Sequence, residues 1–237
     1  MNQKRAGFTL VETTIAVAVF ALLITGGMAF FIQSTKGIYV AAQRLELGSN
    51  IRKFNDEMVF NASRANEAVL YLSKMDTDRD TASDRLTILT TPTILHPSGN
   101  LVVFVYYNFP KEIADAFHRI RLVRGYYVDA DATSGIGPVK KFEIDFSASP
   151  SDLPLETILT TKWATAKSYT FLFNVRGLAI NECIAAPDPR AGPRLFYKNE
   201  KRAITVSGQI YQSKNNSLTN DWKTSTESFN FIVTPRS

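Results

Sequence analysis

Cysteine is the scarcest reactive residue in this chain of 237 residues, with one copy, Cys183. A single cysteine excludes a disulfide within the chain, so the fold depends on its apolar core and its hydrogen bonds. A domain of this length can bury enough apolar surface to be stable without covalent cross-links. We therefore interpret Cys183 as a small, buried apolar residue rather than as a redox or intermolecular site.

Histidine is also scarce, with two copies, His96 and His118. The chain contains no H-E-x-x-H, G-x-S-x-G, C-x-x-C, P-loop or dinucleotide-binding motif. Catalysis by an activated nucleophile, a zinc ion or a nucleotide cofactor therefore has no support in the sequence. We expect a protein that is not an enzyme and holds no cofactor.

Basic residues exceed acidic residues only slightly, 27 against 22, although the isoelectric point is about 9.3. This excess is too small for the electrostatic footprint of a nucleic-acid-binding domain. The nearest approach to a base-stacking surface is Arg119, Arg121 and Arg124 beside Tyr126 and Tyr127. Because aromatic residues of strands usually lie in the core, we expect no nucleic-acid partner.

Charged residues are missing altogether from residues 15–32, IAVAVFALLITGGMAFFI. As a helix this run is about 27 Å long, close to the roughly 30 Å thickness of the hydrocarbon core of a bilayer. It predicts a transmembrane helix over residues 8–33. Lys4 and Arg5 precede the run, and the positive-inside rule therefore predicts that the N-terminus is cytoplasmic and the remainder lies outside.

One acid, Glu12, lies at the start of this apolar segment, in the sequence Gly7-Phe-Thr-Leu-Val-Glu12. A carboxylate that enters a membrane is costly, so such residues mark functional sites. A secretory signal peptide has a small-residue cleavage site after its apolar stretch, and none follows here. A plain N-terminal signal anchor explains the charge and the hydrophobicity but leaves Glu12 unexplained.

The basic leader, the Gly7-Phe8 junction and Glu12 together resemble the type IV prepilin signal. The resemblance implies that prepilin peptidase cuts between Gly7 and Phe8, which removes residues 1–7, and that the new amine of Phe8 is N-methylated. It further implies that Glu12 pairs with the Phe8 amine of a neighbouring subunit. An ammonium and a carboxylate then offset each other's desolvation in a medium of low dielectric constant.

The chain is thereby identified as a type IV pilin-like protein, and its size and its C-terminal strands are similar to those of minor pilins and minor pseudopilins. This resemblance implies a structural subunit of a type IV pilus, a type II secretion pseudopilus or a DNA-uptake filament. The implied partners are other pilins or pseudopilins, prepilin peptidase and the inner-membrane assembly platform. The implied location is the inner membrane, with a single span and a periplasmic domain, and then a filament in the periplasm or at the cell surface. The alternative is a membrane-anchored periplasmic binding protein that does not polymerise.

Helical periodicity continues beyond the apolar segment. Leu45, Ile51, Phe54 and Met58 begin a stripe of apolar residues, mostly at three- and four-residue steps, that extends to Leu72. Polar and charged residues fill the intervening positions. The pattern predicts that the helix continues as an amphipathic stalk over residues 34–72.

Short β-rich segments dominate residues 73–237, the predicted globular domain; they are residues 85–90, 101–107, 120–128, 141–146, 169–175, 203–211 and 228–233. Several alternate apolar and polar residues, as expected for a sheet with one buried face. Residues 152–166 are ambiguous and are compatible with a short helix. A long helix packed on antiparallel strands predicts the α+β class.

An acidic loop follows the predicted stalk. Asp76, Asp78 and Asp80 have the D-x-D-x-D spacing of calcium-binding loops. Thr81 and Thr87, however, stand where an EF-hand requires a glycine and a bidentate glutamate. The loop is therefore either a calcium site of another kind or, as we favour, a solvated acidic loop.

Overall fold

The computed structural model describes residues 9–71, 85–86, 98–108, 119–130, 135–178, 180, 194–198, 203–211 and 226–236. The chain divides into two compact units, Met1–Gln43 and Arg44–Ser237. Helix α1 (Leu10–Arg64) contributes to both units, and the second unit holds a sheet of ten strands and a second helix, α2 (Leu155–Lys162). The long N-terminal helix followed by an antiparallel sheet confirms the predicted α+β fold.

All described strand pairs are antiparallel. The sheet order is β2-β1-β4-β5-β6-β7-β9-β8-β3, and β10 pairs with β9. Each predicted strand coincides with or overlaps an observed one, whereas β1, β3 and β8 are additional. The strands are β1 (Glu67–Tyr71), β2 (Arg85–Leu86), β3 (Ser98–Gly99), β4 (Leu101–Tyr107), β5 (Ile120–Val128), β6 (Gly137–Asp145), β7 (Lys167–Gly177), β8 (Phe196–Lys198), β9 (Ile204–Tyr211) and β10 (Thr226–Val233).

The central strands are buried on both faces of the sheet. β4 shows this most clearly, because five consecutive residues, LVVFV, are buried. Helix α1 packs on one face, where Phe54 joins Phe104 in an apolar cluster. Helix α2 packs on the other face, where Leu159 joins Val103 in a second cluster. The expectation of one buried face was therefore wrong, because the short helix, which the sequence left ambiguous, covers the second face.

The alternating strand β6 illustrates the two faces. Phe142 and Ile144 belong to the cluster beneath α2, whereas Lys141 reaches the opposite face and pairs with α1. The Phe142 ring lies 4.6 Å from the Trp163 ring, centroid to centroid. It also lies over Gly125 of β5, where a Cβ atom would collide with the ring. Glycine at this position therefore permits the ring to pack flat on the sheet.

Helix α1 ends earlier than the apolar stripe predicts. The stripe runs to residue 72, but α1 ends at Arg64 and the chain enters β1. The Asn66 N–H donates to the Val105 carbonyl of β4 at 2.9 Å instead of continuing the helix. Leu70 then contributes to the cluster beneath α1 and Tyr71 to the cluster beneath α2. Adjacent residues can reach opposite faces in a strand but not in a helix, and this decides the boundary.

Aromatic rings join the second half of α1 to the sheet. Phe54 is fully buried, and its ring lies 5.9 Å from that of Tyr126 and 5.6 Å from that of Phe231. These ring pairs are edge-to-face, the arrangement that the aromatic quadrupole favours. The Arg236 N–H also donates to the Ala62 carbonyl, at 3.3 Å, which satisfies an acceptor in the last turn of α1.

Polar side chains surround Asn61 of α1 beside this aromatic contact. We call this group the Asn61 cluster; its members are Glu57, Asn61, Tyr106, Arg124, Tyr126, Lys141 and Glu143. Asn61 is fully buried, yet its amide nitrogen donates to the Tyr126 hydroxyl and its side-chain oxygen accepts from Arg124 at 3.0 Å. The Tyr106 hydroxyl donates to the backbone carbonyl of Asn61 at 2.9 Å. A buried amide with these bonds fixes the position of this part of α1 along its axis and its rotation about that axis.

Charge and burial act together on the titratable groups of the Asn61 cluster. Burial raises the pKa of the Tyr106 hydroxyl to about 12, although the nearby Arg124 guanidinium opposes this shift. Burial also disfavours the Glu57 carboxylate, but hydrogen bonds from Lys141 and Asn61 outweigh that effect and lower the pKa of Glu57. Tyr106 therefore stays neutral and Glu57 stays ionised at neutral pH.

Removal of the Asn61 amide should destabilise the second unit. In Asn61→Leu the volume is retained, but Tyr126 and Arg124 each lose a hydrogen-bond partner in a buried place. We expect a loss of about 2 kcal/mol in the free energy of unfolding, which corresponds to about 4–8 °C in melting temperature for a protein of this size. Asn55→Leu, at a half-exposed position on the same helix, is the control. Circular dichroism on the full chain in detergent measures the melting temperatures. Equal melting temperatures of the two variants would contradict the role assigned to Asn61.

Glu57 should make stability depend on pH in the acid range. A carboxyl whose pKa is lower in the folded state than its ordinary 4.5 stabilises the fold above that pH, and the contribution is lost as the pH falls through the folded value. The melting temperature of Glu57→Gln should therefore lie below wild type at pH 7 and approach it near pH 3. Glu46→Gln, at an exposed position on α1, should track wild type throughout. A constant gap between Glu57→Gln and wild type from pH 7 to pH 3 would exclude the ionic contribution.

Candidate functional site

Helix α1 begins with a reciprocal pair of hydrogen bonds between Thr9 and Glu12. The Thr9 N–H donates to Glu12 Oε2 at 2.9 Å, and the Glu12 N–H donates to Thr9 Oγ1 at 3.3 Å. The Thr9 hydroxyl also donates to Glu12 Oε2, at 3.0 Å. This is a capping box, in which an N-cap threonine and a glutamate three residues later satisfy each other's backbone donors. The T-x-x-E pattern of Thr9 and Glu12 already indicates this box in the sequence, although the cost of a carboxylate in a membrane indicates only that Glu12 is functional.

The capping box places the Glu12 carboxylate at the first turn of α1. The helix dipole favours a negative charge at this end. Both bonds that Thr9 donates to the carboxylate, one from its N–H and one from its hydroxyl, end on Oε2, so the capping geometry does not use Oε1. The carboxylate is therefore held in position by its own chain, and among the described residues Oε1 takes no part in this capping, which suits it to accept from a cation. The resemblance to prepilin signals implies an intermolecular role for Glu12, and the structure adds this intramolecular one.

The apolar segment that follows Glu12 is exposed in the isolated chain. Every side chain of residues 10–32 is exposed, including Phe20, Phe30 and Phe31. Among the described residues, α1 is the one helix long and apolar enough to cross a bilayer. A continuous apolar surface of this length requires lipid or other proteins to cover it.

Threonine hydroxyls inside this segment are satisfied by the helix itself. The Thr14 hydroxyl donates to the Leu10 carbonyl and the Thr25 hydroxyl to the Ala21 carbonyl, each at 2.8 Å. The Thr13 hydroxyl likewise donates to the Leu10 carbonyl, at 2.8 Å. These bonds turn polar side chains back onto their own helix, so the segment presents no unsatisfied hydroxyl to an apolar environment. Glu12 remains the one charged side chain of residues 10–32.

Several residues named from the sequence lie outside the described residues. They are the cleavage junction Gly7 and Phe8, the calcium candidates Asp76, Asp78 and Asp80, the histidines His96 and His118, and Cys183. Within the described part of the chain, no group of three or more His, Cys, Asp or Glu side chains could hold a metal ion. Calcium binding and the cleavage position between Gly7 and Phe8 therefore stay predictions.

The tyrosines of β5, its Arg124 and the preceding Arg119 have partners within the fold, whereas Arg121 is exposed. Tyr126 is fully buried on the face beneath α1, and Tyr127 is 7% exposed on the face beneath α2. Arg124 Nε bonds Glu143 Oε2 at 2.6 Å, and Arg119 pairs with Asp152 at 2.8 Å. Buried rings offer no face on which a nucleic-acid base could stack.

The geometry of the site is thus an exposed apolar helix whose first turn carries a positioned carboxylate. Residues 2–28 of the chain match the model of the prokaryotic N-terminal methylation motif. Comparison with curated proteins and with solved structures finds no match. The matched region includes the basic leader, the Gly7-Phe8 junction, the capping box and most of the apolar segment. The chain therefore carries a type IV pilin-like prepilin signal, which makes it a prepilin-peptidase substrate.

Proposed function

We propose that this protein is a minor structural subunit of a type IV pilus, a type II secretion pseudopilus or a DNA-uptake filament. The observation that carries the proposal is the prepilin signal on a helix whose apolar residues 10–32 are all exposed. Such a surface can be stored in a membrane and later packed against the same surface of other subunits. The role is structural, and we propose no catalytic activity.

Assembly begins, on this proposal, with cleavage between Gly7 and Phe8 and N-methylation of Phe8. The new ammonium of one subunit then pairs with the Glu12 carboxylate of its neighbour. Each charge alone is expensive in an apolar environment, whereas the pair offsets both desolvation penalties. Because Thr9 fixes the carboxylate at the first turn of α1, the pair would set the axial register between neighbouring helices.

The proposed topology follows from the charge of the leader. Lys4 and Arg5 place the N-terminus in the cytoplasm, and the second unit lies in the periplasm. In this position the protein meets prepilin peptidase and the inner-membrane assembly platform, and then other pilins or pseudopilins. The sheet of ten strands with an apolar cluster on each face is a large domain for a pilin-like subunit, and its size supports a minor rather than a major position in the filament.

Processing is the first test. Intact-mass analysis of the membrane-extracted protein should show a chain that starts at Phe8 and carries an added methyl group. In Gly7→Arg, cleavage should fail because the junction residue is no longer small, and the mass should retain residues 1–7. A wild-type chain that keeps its leader in cells with active prepilin peptidase would overturn the proposal.

Glu12→Gln separates the two roles of Glu12. Glutamine can serve in a capping box as glutamate does, but it carries no charge to pair with an ammonium. We expect the variant to be inserted and cut like wild type, yet to be depleted from sheared filaments, because a buried pair that loses one partner is destabilised by about 3–5 kcal/mol. Immunoblots of the membrane fraction measure the inserted and cut protein, and immunoblots of the sheared fraction measure the protein in filaments.

Thr9→Val is the matched control for the capping box. It removes the threonine hydroxyl but keeps the Thr9 backbone donor and the Glu12 charge, so its defect in assembly should be smaller than that of Glu12→Gln. Filament levels of Glu12→Gln equal to wild type would show that capping, not charge pairing, is the role of Glu12. A wild-type protein that is cut but never enters filaments would favour the membrane-anchored binding protein instead.

A further inference from the structure

Strand β10 presents one edge to β9 and turns the other away from the sheet. The orientation follows from Ser207 of β9, whose N–H donates to the Leu195 carbonyl at 2.9 Å and whose carbonyl accepts from the Leu178 N–H at 3.0 Å. Both backbone groups of Ser207 thus point away from β10. Backbone groups alternate in direction along an antiparallel strand, so Val206 and Gly208 bond toward β10.

The register carries this alternation into β10. Gly208 lies opposite Phe229 and Val206 lies opposite Phe231, so these two phenylalanines use their backbone groups on β9. The residues between and beside them direct their N–H and C=O groups outward. They are Thr226, Ser228, Asn230 and Ile232, and their side chains are all exposed. Among the described residues, no strand and no hydrogen bond occupies this outward edge.

Within the part of the chain that the structure describes, this edge lacks the devices that natural sheets use against strand addition. The strand is 8 residues long and pairs with β9 without a register shift, so no bulge twists it away. Its sequence, TESFNFIV, contains no lysine and no proline, and its one charge is Glu227 at the start. Edge strands without these features are templates for another strand. By contrast, β2 and β3 have two residues each.

We propose that the outward edge of β10 is a docking site for a β-strand of a neighbouring pilin-like subunit. The partner segment would be an extended strand, because outward N–H and C=O groups recur at every second residue over the length of β10. Specificity would come from alternate side chains, with exposed Ile232 as an apolar contact among small polar neighbours. The proposal rests on the proposed function, since it takes the partner from the same filament.

A neighbouring subunit is favoured as the partner because assembly tethers the domains. Once the N-terminal helices of two subunits pack together, their domains are held at an effective concentration in the millimolar range for short connections. A strand edge that binds weakly in solution then becomes an occupied contact. The same dependence keeps the edge free before assembly, when the subunit is diluted in the membrane.

Asn230→Pro tests the edge without disturbing the β9 ladder. Proline at this position removes one outward N–H, and proline is tolerated at strand edges where no ladder bond is lost. Asn230→Ala retains the N–H and reports what the side chain alone contributes. We expect Asn230→Pro to reach filaments at about one tenth of the Asn230→Ala level, the effect of a tenfold change in affinity. Equal levels of the two variants would overturn the inference.

Photo-cross-linking identifies the partner and covers the case in which proline disturbs folding. A benzophenone amino acid replaces Ser228 on β10 or, as a control, exposed Thr170 on β7, in full-length protein in cells. Irradiation should link position 228, but not 170, to a peptide of a pilin-like subunit, identified by mass spectrometry in membrane and filament fractions. Absence of this product from both fractions, or links only to unrelated proteins, would exclude the docking site. Failure of the proposed function would instead appear as an uncut leader or as indifference to Glu12→Gln.

Discussion

The contact between the second half of α1 and the sheet is the interaction on which the domain depends. Phe54 supplies its apolar part, with aromatic rings from β5, β7 and β10 packed around it. Asn61 supplies its polar part, about two helical turns further on. Apolar packing alone would tolerate a rotation of the helix, whereas a buried amide with fixed partners does not. The two together explain how strands distant in sequence converge on a single helix.

The two segments of α1 meet opposite physical demands. Residues 10–32 are apolar on every side and exposed, so their environment has to come from lipid or other subunits. The segment that packs on the sheet is apolar on one side, and its environment is the protein's own core. On the proposed function, the first segment exchanges lipid for the helices of other subunits while the domain remains folded. The capping box then has a use in both environments, because it satisfies backbone donors that neither lipid nor an apolar neighbour can satisfy.

Sequence reasoning succeeded where a segment has one dominant requirement. β4 and β5 have the bounds that their β-branched and aromatic runs predict. It failed where the residues of one segment pack on both faces of the sheet. The periodicity of Glu67–Tyr71 resembles the end of the helical stripe, whereas the pairing of this strand with β4 joins residues far apart in the chain and is not visible in local periodicity. Likewise, the alternation in β6 indicates that Phe142 and Ile144 share a face, but not which helix covers it. Glu12 was found by its cost in a membrane, and its bond to Thr9 was missed.

The sequence by itself determined the prepilin signal, because a basic leader, the Gly7-Phe8 junction, Glu12 and an uncharged run of residues 15–32 are local features read in order along the chain. It also determined most strands, since side-chain alternation is a local property. Only the tertiary structure decided where α1 ends, which face of the sheet each helix covers, and which edge of β10 is turned outward. These outcomes depend on pairings between residues far apart in the chain, and a hydrogen bond from Ser207 or Asn66 has no signature until both partners are in place.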